Sequence, residues 1–313
     1  MKSKYKQAIV SGGCGFIGSH LCEELLLQGL DVISIDDYSA GTPMNVVHLH
    51  SYDNFIEVAC DICNKRNVRP FFEGTDIVFN LAACKKNICL NNPHRDLEVN
   101  AGGTLNLLEL SMESGVKKFI HASTGSVYGE PTVFPQDETH PLNPRSYYGV
   151  SKLAGEQYVR TFHDLYDLDT TVLRYFHVYG HRQAEDDYKG GVVAIFIKNA
   201  LHNKDLMIHG DGTQIRSFTY VKDVVKANIQ SALLPTSGKV FNCASGLKIT
   251  VNDLAELIIN ILSSDSDIIY DDWLVGDIKW FDVDNRLIKN ALGINFTSFK
   301  TGLMDTINRR KMV

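Results

Sequence analysis

Short apolar runs alternate with amphipathic segments through the first half of the chain. The runs, rich in valine, isoleucine and phenylalanine, read KQAIVSG at 6–12, DVISID at 31–36, FIEVACDI at 55–62, DIVFNLAA at 76–83 and KKFIHAST at 117–124. Segments with helical apolar spacing lie between them, first at 16–29 and later at 93–115. The alternation predicts an α/β fold, a Rossmann-type doubly wound parallel sheet, because right-handed crossovers place helices on both of its faces.

The pattern changes after residue 176 and predicts a smaller, interleaved α/β domain. A polar, glycine-bearing stretch is followed by helical spacing at 192–201, a turn-rich segment, and further helices at 221–234 and 250–262. Thr250 is placed to cap the last of these. We expect residues 1–176 to form the first domain, with 218–245 returning to it through GKVFNCAS, and residues 177–217 and 246–313 to form the second.

Composition and charge narrow the classes of partner. The 313 residues are 44% hydrophobic and 22% charged, and 31 Lys and Arg against 37 Asp and Glu give a formal charge of −6. This charge balance gives no indication of a basic surface that would bind nucleic acid or an anionic membrane. No apolar run approaches the ~20 residues of a membrane span, so we expect a cytoplasmic protein.

Seven cysteines are scattered along the chain. Cys60 and Cys63 have CxxC spacing, and Cys84 with Cys89 would complete a four-cysteine zinc site. Both pairs lie in or beside apolar strand-like runs, where cysteine serves as a small hydrophobic residue. The sequence therefore favours reduced thiols and no metal.

A glycine-rich stretch, SGGCGFIGSHL at 11–21, directly follows the first apolar run. Gly12, Gly15 and Gly18 are spaced GxxGxxG at the start of a helical segment, where glycines allow a tight turn and backbone amides approach a pyrophosphate. Asp36 ends the second strand about twenty residues later, where a carboxylate binds an adenosine ribose. The alternative is a glycine turn before an ordinary core helix.

Asp36 also bears on which dinucleotide binds. A carboxylate there repels a ribose 2′-phosphate, and residues 37–47 supply no arginine or lysine to receive one. The sequence therefore favours NAD over NADP. The neighbouring Asp37 is either a further cofactor contact or a solvated side chain.

A second group of candidate functional residues lies near the middle of the chain. Tyr148 precedes Lys152 by four residues, which places both on one helix face. A phenol with a pKa near ~10 is a poor base until an adjacent ammonium favours phenolate. Ser123, Thr124 and Ser126 end the strand upstream, and their hydroxyls are candidates to bind the same reacting oxygen. A surface contact is the structural alternative for the Tyr–Lys pair.

Together these motifs resemble the extended short-chain dehydrogenase/reductases, the NAD-dependent epimerase/dehydratase family acting on nucleotide sugars. The resemblance runs nearly end to end, through GGCGFIGSHL, DDYSAG, NLAA, AGGTLNLLE, STGSVYGE, YYGVSKLAGE, LRYFHVYGHRQ, IHGDGTQIRSFTYVKDVV and FNCASG. It implies oxidation of a hexose at C4 by hydride transfer to NAD. It makes Tyr148 the general base, Lys152 its tuning residue and a ligand of the nicotinamide ribose, and Thr124 the group that orients the sugar hydroxyl.

The resemblance also implies binding residues and an assembly. Those implied for the cofactor, beyond the catalytic pair, are Gly12, Gly15, Phe16, Ile17, Gly18, Asp36, Asp37, Asp61, Ile62, Leu81, Ala82, Lys85, Asn100, Tyr175 and Val178. Those implied for the nucleotide sugar are Lys85, Thr124, Ser126, Tyr148, His177, Val192 and Arg216. A homodimer would form through the helices at about 95–113 and 148–166.

Departures from the family pattern decide between reactions. Dehydratases carry acidic residues after the threonine, and decarboxylases a glutamate at position 126, whereas this chain has Gly125 and Ser126. A 4-epimerase is therefore favoured. The alternatives are a C4 dehydrogenase that releases a 4-keto sugar, then a 4,6-dehydratase, and outside catalysis an NAD-sensing binding protein.

Three further departures concern the nucleotide. His177 and His181 replace asparagine and proline of the motif, and Leu274 replaces an arginine that helps hold the diphosphate. The nucleotide is therefore left open between UDP and GDP. His177 itself is either a substrate contact or a residue packed behind the site.

Overall fold

A seven-stranded parallel sheet forms the centre of the molecule. The computed structural model describes residues 1–84, 90–186, 190–274 and 276–310. The strands of this sheet are β1 (Gln7–Ser11), β2 (Asp31–Asp36), β3 (Phe55–Ala59), β4 (Ile77–Asn80), β5 (Lys118–Thr124), β6 (Thr170–Tyr175) and β11 (Lys239–Cys243). Their spatial order is β11-β6-β5-β4-β1-β2-β3. The order reverses at β1, where ligands of such folds bind, and the doubly wound α/β prediction is confirmed.

Helices cover both faces of the sheet. The helices within and beside it are α1 (Phe16–Leu27), α2 (Lys65–Val68), α3 (Pro93–Leu97), α4 (Thr104–Glu113), α5 (Tyr147–Tyr166) and α7 (Val221–Leu233). A π-helical segment, Glu98–Gly103, joins α3 to α4. Alternate strand residues point to opposite faces, so Ala8 and Val10 pack in the same buried cluster as Leu21 and Leu25 of α1. Ile9, between them, packs in the cluster of α4 and α5.

The second half of the chain adds a smaller α/β region. Its short strands are β7 (Val178–Tyr179), β8 (Leu206–His209), β9 (Ile215–Arg216), β10 (Thr219–Tyr220), β12 (Ile249–Thr250) and β13 (Ile268–Asp271), and its helices are α6 (Val192–Leu201), α8 (Val251–Leu262), α9 (Arg286–Leu292) and α10 (Phe299–Arg310). The strands pair as β7 with β10, β8 with β13 and β9 with β12. Thr250 and Asp253 form a capping box on α8, as expected of Thr250.

Strand β11 returns from this region to the main sheet. Its residues pair in parallel with β6, from Lys239 opposite Thr171 to Cys243 opposite Tyr175. The division of the chain into two domains stays a prediction.

Among the described residues, no helix combines the length and the apolar character needed to cross a membrane.

Register brings the candidate residues to one edge. Ser11 lies opposite Ile35 of β2 and Asn80 of β4, and Thr124 lies opposite Tyr175. Because all these strands are parallel, the segments that follow them meet at the carboxyl edge of the sheet.

Candidate active site

A cavity of about 480 Å³ opens at the carboxyl edge of the sheet. Most of the residues predicted from the sequence line it together: Gly12, Gly15, Phe16, Ile17, Gly18, Asp36, Asp37, Asp61, Ile62, Leu81, Ala82, Thr124, Tyr148, Lys152, Tyr175, His177 and Val178. They come from the last residues of β2, β5 and β6, from the segments that follow strands of the sheet, and from α1, α5 and β7. One cavity therefore joins the glycine-rich turn to the Tyr–Lys pair.

The glycine-rich turn leaves no room for a side chain at Gly12 or Gly18. Gly12 has φ +72°, and a Cβ there would lie 2.8 Å from the backbone nitrogen of Ala82. A Cβ on Gly18 would lie 2.1 Å from the carbonyl oxygen of Gly12. Gly15 precedes α1, and among the described residues no side chain caps that helix end. The turn is thus a cradle of backbone amides at a positive helix end, which suits a pyrophosphate.

Asp36 is fixed at the end of β2 by backbone amides. Its Oδ2 accepts a hydrogen bond from the amide of Cys14 (3.0 Å), and its Oδ1 accepts one from the amide of Tyr38 (2.8 Å). Burial raises the pKa of Asp36, and these amides oppose the rise. The carboxylate therefore stands in one orientation beside the glycine turn.

Replacing Asp36 by asparagine is expected to weaken NAD binding by about tenfold, the scale of one hydrogen bond to a charged group. Asparagine keeps one oxygen acceptor for the turn, whereas alanine would also free the amides of Cys14 and Tyr38. Titration calorimetry measures the affinity. Asp31→Asn, at the exposed opposite end of β2, is the matched control. Equal affinities for the two variants would contradict the ribose assignment.

The Tyr–Lys pair lies at the start of α5. Ser146 caps this helix by accepting a hydrogen bond from the amide of Gly149 (3.1 Å). Lys152 is 2% exposed. Burial lowers the pKa of Lys152 to about 8, against the attraction of Glu156 and Asp96. At neutral pH most of the ammonium form is retained, beside the phenol that it is expected to activate.

The three hydroxyls at the end of β5 differ in their hydrogen-bond partners. Ser123 lines the first cavity, and its hydroxyl donates to Oε2 of Glu156 (2.7 Å). Thr124 accepts from the amide of Ser126 (3.2 Å) and lies 3.3 Å from its hydroxyl. The binding of a reacting oxygen by these three hydroxyls stays a prediction.

A second cavity, of about 210 Å³, adjoins the first and shares Thr124, Tyr175 and His177 with it. The rest of its lining is Gly125, Ser126, Arg145, Ser146, Phe176, Gly276, Asp277, Ile278 and Phe281. The backbone of His177 has φ +35°. Its ring packs edge-on against the ring of Phe281, with the two ring centroids 4.6 Å apart. It therefore both packs against an aromatic ring and faces the two cavities, so the alternatives left open for it are not exclusive.

Arg216 lies behind the wall of the second cavity. Its Nη2 is 2.7 Å from Oδ2 of Asp277, and its Nη1 donates to the carbonyl oxygen of Ile278 (2.8 Å). Both partners line the cavity, while Arg216 itself is only 7% exposed. In this arrangement Arg216 holds the wall of the cavity through Asp277.

Two other predicted residues, Asn100 and Val192, line neither cavity. Asn100 is buried, accepts from the amide of Cys84 (2.9 Å) and donates to Asp96 (2.7 Å), so it braces the chain beneath the site. Val192 begins α6 and packs against the core of the second region. Lys85, predicted for both cofactor and substrate, lies outside the described residues.

Several lining residues escaped prediction as individual ligands. The first cavity is also lined by Ser39, Ala40, Gly41, Gln183, Gly190 and Gly191. Four of these six residues lie in the motifs DDYSAG and GHRQ, so the sequence did contain a signal that could have identified them. For Gly190 and Gly191 the only signal was their place before α6.

Asp37 provides a different case. Its Oδ2 accepts from Arg95 (3.0 Å), which is 58 positions away in the chain. Asp37 is therefore ion-paired, and nothing in the sequence spacing indicated Arg95 as its partner.

The cysteines form no metal site among the residues that the structure describes, where no group of three or more His, Cys, Asp or Glu side chains is arranged to hold an ion. Cys84 is buried, Cys60 and Cys63 are partly buried, and Cys89 lies outside the described residues. Cys14, in the glycine turn, is fully buried with its Sγ 3.5 Å from the hydroxyl of Ser34.

Comparison with known proteins accounts for this set of features. The sequence profile described as the NAD dependent epimerase/dehydratase family matches residues 8–244. The chain belongs to this family. A UDP-glucose 4-epimerase of Mycolicibacterium smegmatis is 34% identical over 292 residues, which cover 92% of each chain.

Solved structures extend the similarity to the whole fold. The UDP-glucose 4-epimerase of Thermotoga maritima, crystallised with UDP-glucose, is 36% identical and superposes with a TM-score of 0.93 over 98% of this chain and 100% of that one. The UDP-N-acetylglucosamine 4-epimerase of Methanobrevibacter ruminantium, in complex with UDP-N-acetylmuramic acid, is 33% identical with a TM-score of 0.92 over 99% of each chain.

NAD is the cofactor of this enzyme family, and the cavity of this chain fits it. The glycine cradle excludes side chains, the end of α1 offers backbone donors, and Asp36 offers a fixed acceptor one strand away. These three elements match the pyrophosphate and the adenosine ribose of a dinucleotide.

Proposed function

We propose that the chain is a nucleotide-sugar 4-epimerase. The observation that carries the proposal is the meeting of Thr124, Tyr148 and Lys152 in one cavity with the glycine cradle, beside a second cavity suited to a sugar. In this proposal the residues that line the first cavity hold NAD, and Thr124, Ser126 and His177 face the sugar.

The proposed roles follow from the chemistry of each group. NAD held by the first cavity would supply the hydride acceptor for C4 of the sugar and the donor for its return to the opposite face. Tyr148 takes the proton of the C4 hydroxyl and later gives it back, as general base and then general acid. The Lys152 ammonium stabilises the phenolate electrostatically, and the Thr124 hydroxyl orients the C4 oxygen.

The surroundings of Gly125 argue against a dehydratase. A Cβ on Gly125 would lie 2.4 Å from Cε1 of Phe176. Phe176 is 1% exposed, stacks on Tyr128 and meets Phe281 edge-on, so its ring has little room to move. An acidic side chain at position 125, which elimination would use, does not fit this packing.

Gly125→Ala is expected to lower the free energy of unfolding by about 1–3 kcal/mol, the usual cost of overpacking a core. Gly102→Ala is the matched control, because a Cβ there has its nearest neighbour at 3.9 Å. It should be neutral or slightly stabilising. Denaturant unfolding measures both, and a Gly125→Ala variant as stable as its control would show that an acidic residue could be accommodated.

A C4 dehydrogenase is the rival that the same site permits, because the first half of the reaction is shared. The two differ in the fate of the hydride, since a dehydrogenase releases a 4-keto sugar and an equal amount of reduced cofactor. Incubating the purified protein with UDP- and GDP-hexoses and analysing the products by NMR separates them. We expect the C4 epimer without net cofactor reduction, and stoichiometric reduction would overturn the proposal.

For the nucleotide we propose UDP, with GDP as the alternative. Arg216 is retained and ion-paired with Asp277, whereas Leu274 replaces a cation and is 48% exposed. The relatives described above are UDP-sugar epimerases by name, which supports uridine. Calorimetry measures the affinities of UDP and GDP as they compete for the purified protein. Tighter binding of GDP would reverse the choice.

We also propose a homodimer that forms through α5 and the segment from α3 to α4. Large apolar side chains on α5 are exposed at helical spacing, namely Tyr147, Val150, Tyr158 and Leu165. Leu97 and Met112 are exposed on the neighbouring helices. A face of this kind suits a partner helix pair, because an exposed apolar stripe is costly in water.

Tyr158→Glu is expected to shift the protein from dimer to monomer, because it places a charge in the apolar stripe of α5. Light scattering after gel filtration measures the mass. Leu27→Glu, at an exposed apolar position on α1 outside the proposed interface, is the control and should leave the mass unchanged. Dissociation by both variants, or by neither, would contradict the proposed interface.

A further inference from the structure

Arg95, on α3, contacts the segments that follow β2 and β3, and its partners there, Asp37 and Asp61, line the first cavity. Its Nη2 is 2.8 Å from Oδ2 of Asp61 and 3.0 Å from Oδ2 of Asp37. Its Nη1 is 3.3 Å from Sγ of Cys63. The guanidinium on α3 thereby joins two strand ends that are far apart in sequence. We call Asp37, Asp61 and Arg95 the Arg95 cluster.

Each carboxylate of the Arg95 cluster is oriented by its own loop. Oδ1 of Asp37 accepts from the amide (3.0 Å) and hydroxyl (2.6 Å) of Ser39. Oδ1 of Asp61 accepts from the amide of Cys63 (2.8 Å). In both residues this leaves Oδ2 facing Arg95. The cluster is therefore a built arrangement in which the guanidinium is neutralised by two prepositioned oxygens.

The charge of Asp61 supports the same picture. Burial tends to raise the pKa of Asp61, but the Cys63 amide and the Arg95 guanidinium together hold it below its usual range. Glu98 adds a further carboxylate 3.7 Å from Nη1 of Arg95. The guanidinium is thus surrounded by acidic groups and carries little uncompensated positive charge toward the cavity.

Asp37 and Asp61 line the cavity together with Asp36. Under the proposed function, on which this inference rests, Asp36 faces the adenosine ribose, so a 2′-phosphate would enter beside Asp36 and Asp37. An arginine near that point is what receives a 2′-phosphate in Rossmann domains. Such an arginine is present here, but its Nη2 already contacts the carboxylates of Asp37 and Asp61.

We infer that Arg95 is a specificity-determining residue for the dinucleotide, a phosphate ligand held out of use by Asp37 and Asp61. NAD is then selected over NADP by two features acting together. The carboxylate of Asp36 repels a 2′-phosphate, and the carboxylates of Asp37 and Asp61 keep Arg95 from binding one. Neutralising Asp36 and Asp37 would leave Arg95 with one carboxylate partner from this set and make it available to a phosphate.

The experiment uses neutral isosteres, which keep one of the two backbone acceptors of Asp36. Asp37→Asn keeps the oxygen that accepts from Ser39 and replaces the oxygen facing Arg95 by an amide donor. The variants are D36N, D36N/D37N, and D36N/D37N with either R95M or R69M. Arg69 is the matched control, because it pairs with Glu113 and does not line the cavity.

Each purified protein is incubated with an equimolar excess of NAD and NADP, freed of unbound nucleotide and denatured, and the released dinucleotides are quantified by chromatography. We expect the NADP to NAD ratio of D36N/D37N to exceed that of D36N by about tenfold or more, the scale of one charge-assisted hydrogen bond between Arg95 and the 2′-phosphate. R95M should abolish this increase, and R69M should preserve it.

Two results would overturn the inference. One is a D36N/D37N ratio no higher than that of D36N, and the other is an increase that persists in R95M. Failure of the wild-type protein to retain either dinucleotide would instead overturn the proposed cofactor site, and the inference with it. The two failures are distinguishable because the first leaves NAD bound to the wild-type protein.

Discussion

Tyr148→Phe should lower kcat by about 10²- to 10⁴-fold, the range that one general acid–base group contributes. Phenylalanine retains the ring and its packing against the cluster of α4 and α5, so the fold and the cofactor should be kept. Only the hydroxyl that accepts the C4 proton is lost. The measurement is turnover of the nucleotide sugar identified in the product assay, with bound NAD quantified after denaturation.

Tyr147→Phe is the matched control for this prediction. Tyr147 is the adjacent tyrosine, 56% exposed, and lies one residue out of register with Lys152. Its variant should turn over at the wild-type rate. Similar losses in the two variants, or full turnover by Tyr148→Phe, would remove Tyr148 from the reaction. A wild-type protein that binds NAD but turns over none of the nucleotide sugars would favour the NAD-sensing alternative.

Glu156→Gln should lower the free energy of unfolding by about 3–5 kcal/mol, as expected when one partner of a buried ion pair is neutralised. Glu156 is 0% and Arg174 2% exposed, and the two form a bidentate pair in which Nε lies 3.1 Å from Oε2. Glutamine keeps the size of the side chain but leaves the guanidinium without a counter-charge in the core.

The pair also connects the site to the rest of the sheet. Arg174 donates to the hydroxyl of Tyr128 (2.6 Å), which donates to Asn242 of β11 (2.6 Å). On the other side, Glu156 accepts from Ser123 and lies one helical turn after Lys152. Loss of its charge should therefore also lower the pKa of Lys152 below about 8, because Glu156 opposes the effect of burial there.

Denaturant unfolding at neutral pH measures the stability effect. Glu109→Gln is the control, because Glu109 pairs with Lys65 at the surface and should cost less than about 1 kcal/mol. A Glu156→Gln variant as stable as Glu109→Gln would contradict the view that the buried Glu156–Arg174 pair stabilises the fold beside the site.

Features encoded in contiguous sequence were predicted well. The glycine turn, the carboxylate after β2, and the Tyr148 and Lys152 spacing depend on local geometry, because helix and strand periods fix where neighbouring side chains point. The parallel sheet followed from apolar periodicity for the same reason. These local rules were enough to bring Gly12, Asp36 and Tyr148 to one edge.

Features that depend on packing between distant segments were not predicted. Arg95 reaches Asp37 only because α3 packs beside the ends of β2 and β3. The hydrogen bond from Ser123 to Glu156, 33 positions later in the chain, was not indicated by the motif that contains Ser123. The contacts of Arg216 with Asp277 and Ile278 in the cavity wall were not indicated either, and its place at the substrate stays a prediction. Side-chain pairing at this range has no signature in spacing alone.

The most direct test of the central claim follows the hydride at C4. The purified protein is incubated with C4-deuterated UDP-hexose, and product and cofactor are analysed by NMR and mass spectrometry. A 4-epimerase built on Thr124, Tyr148 and Lys152 returns the same deuterium to C4 of the epimer and leaves no reduced cofactor in solution. Release of a 4-keto sugar, with deuterium transferred to the cofactor in equal amount, would contradict this account.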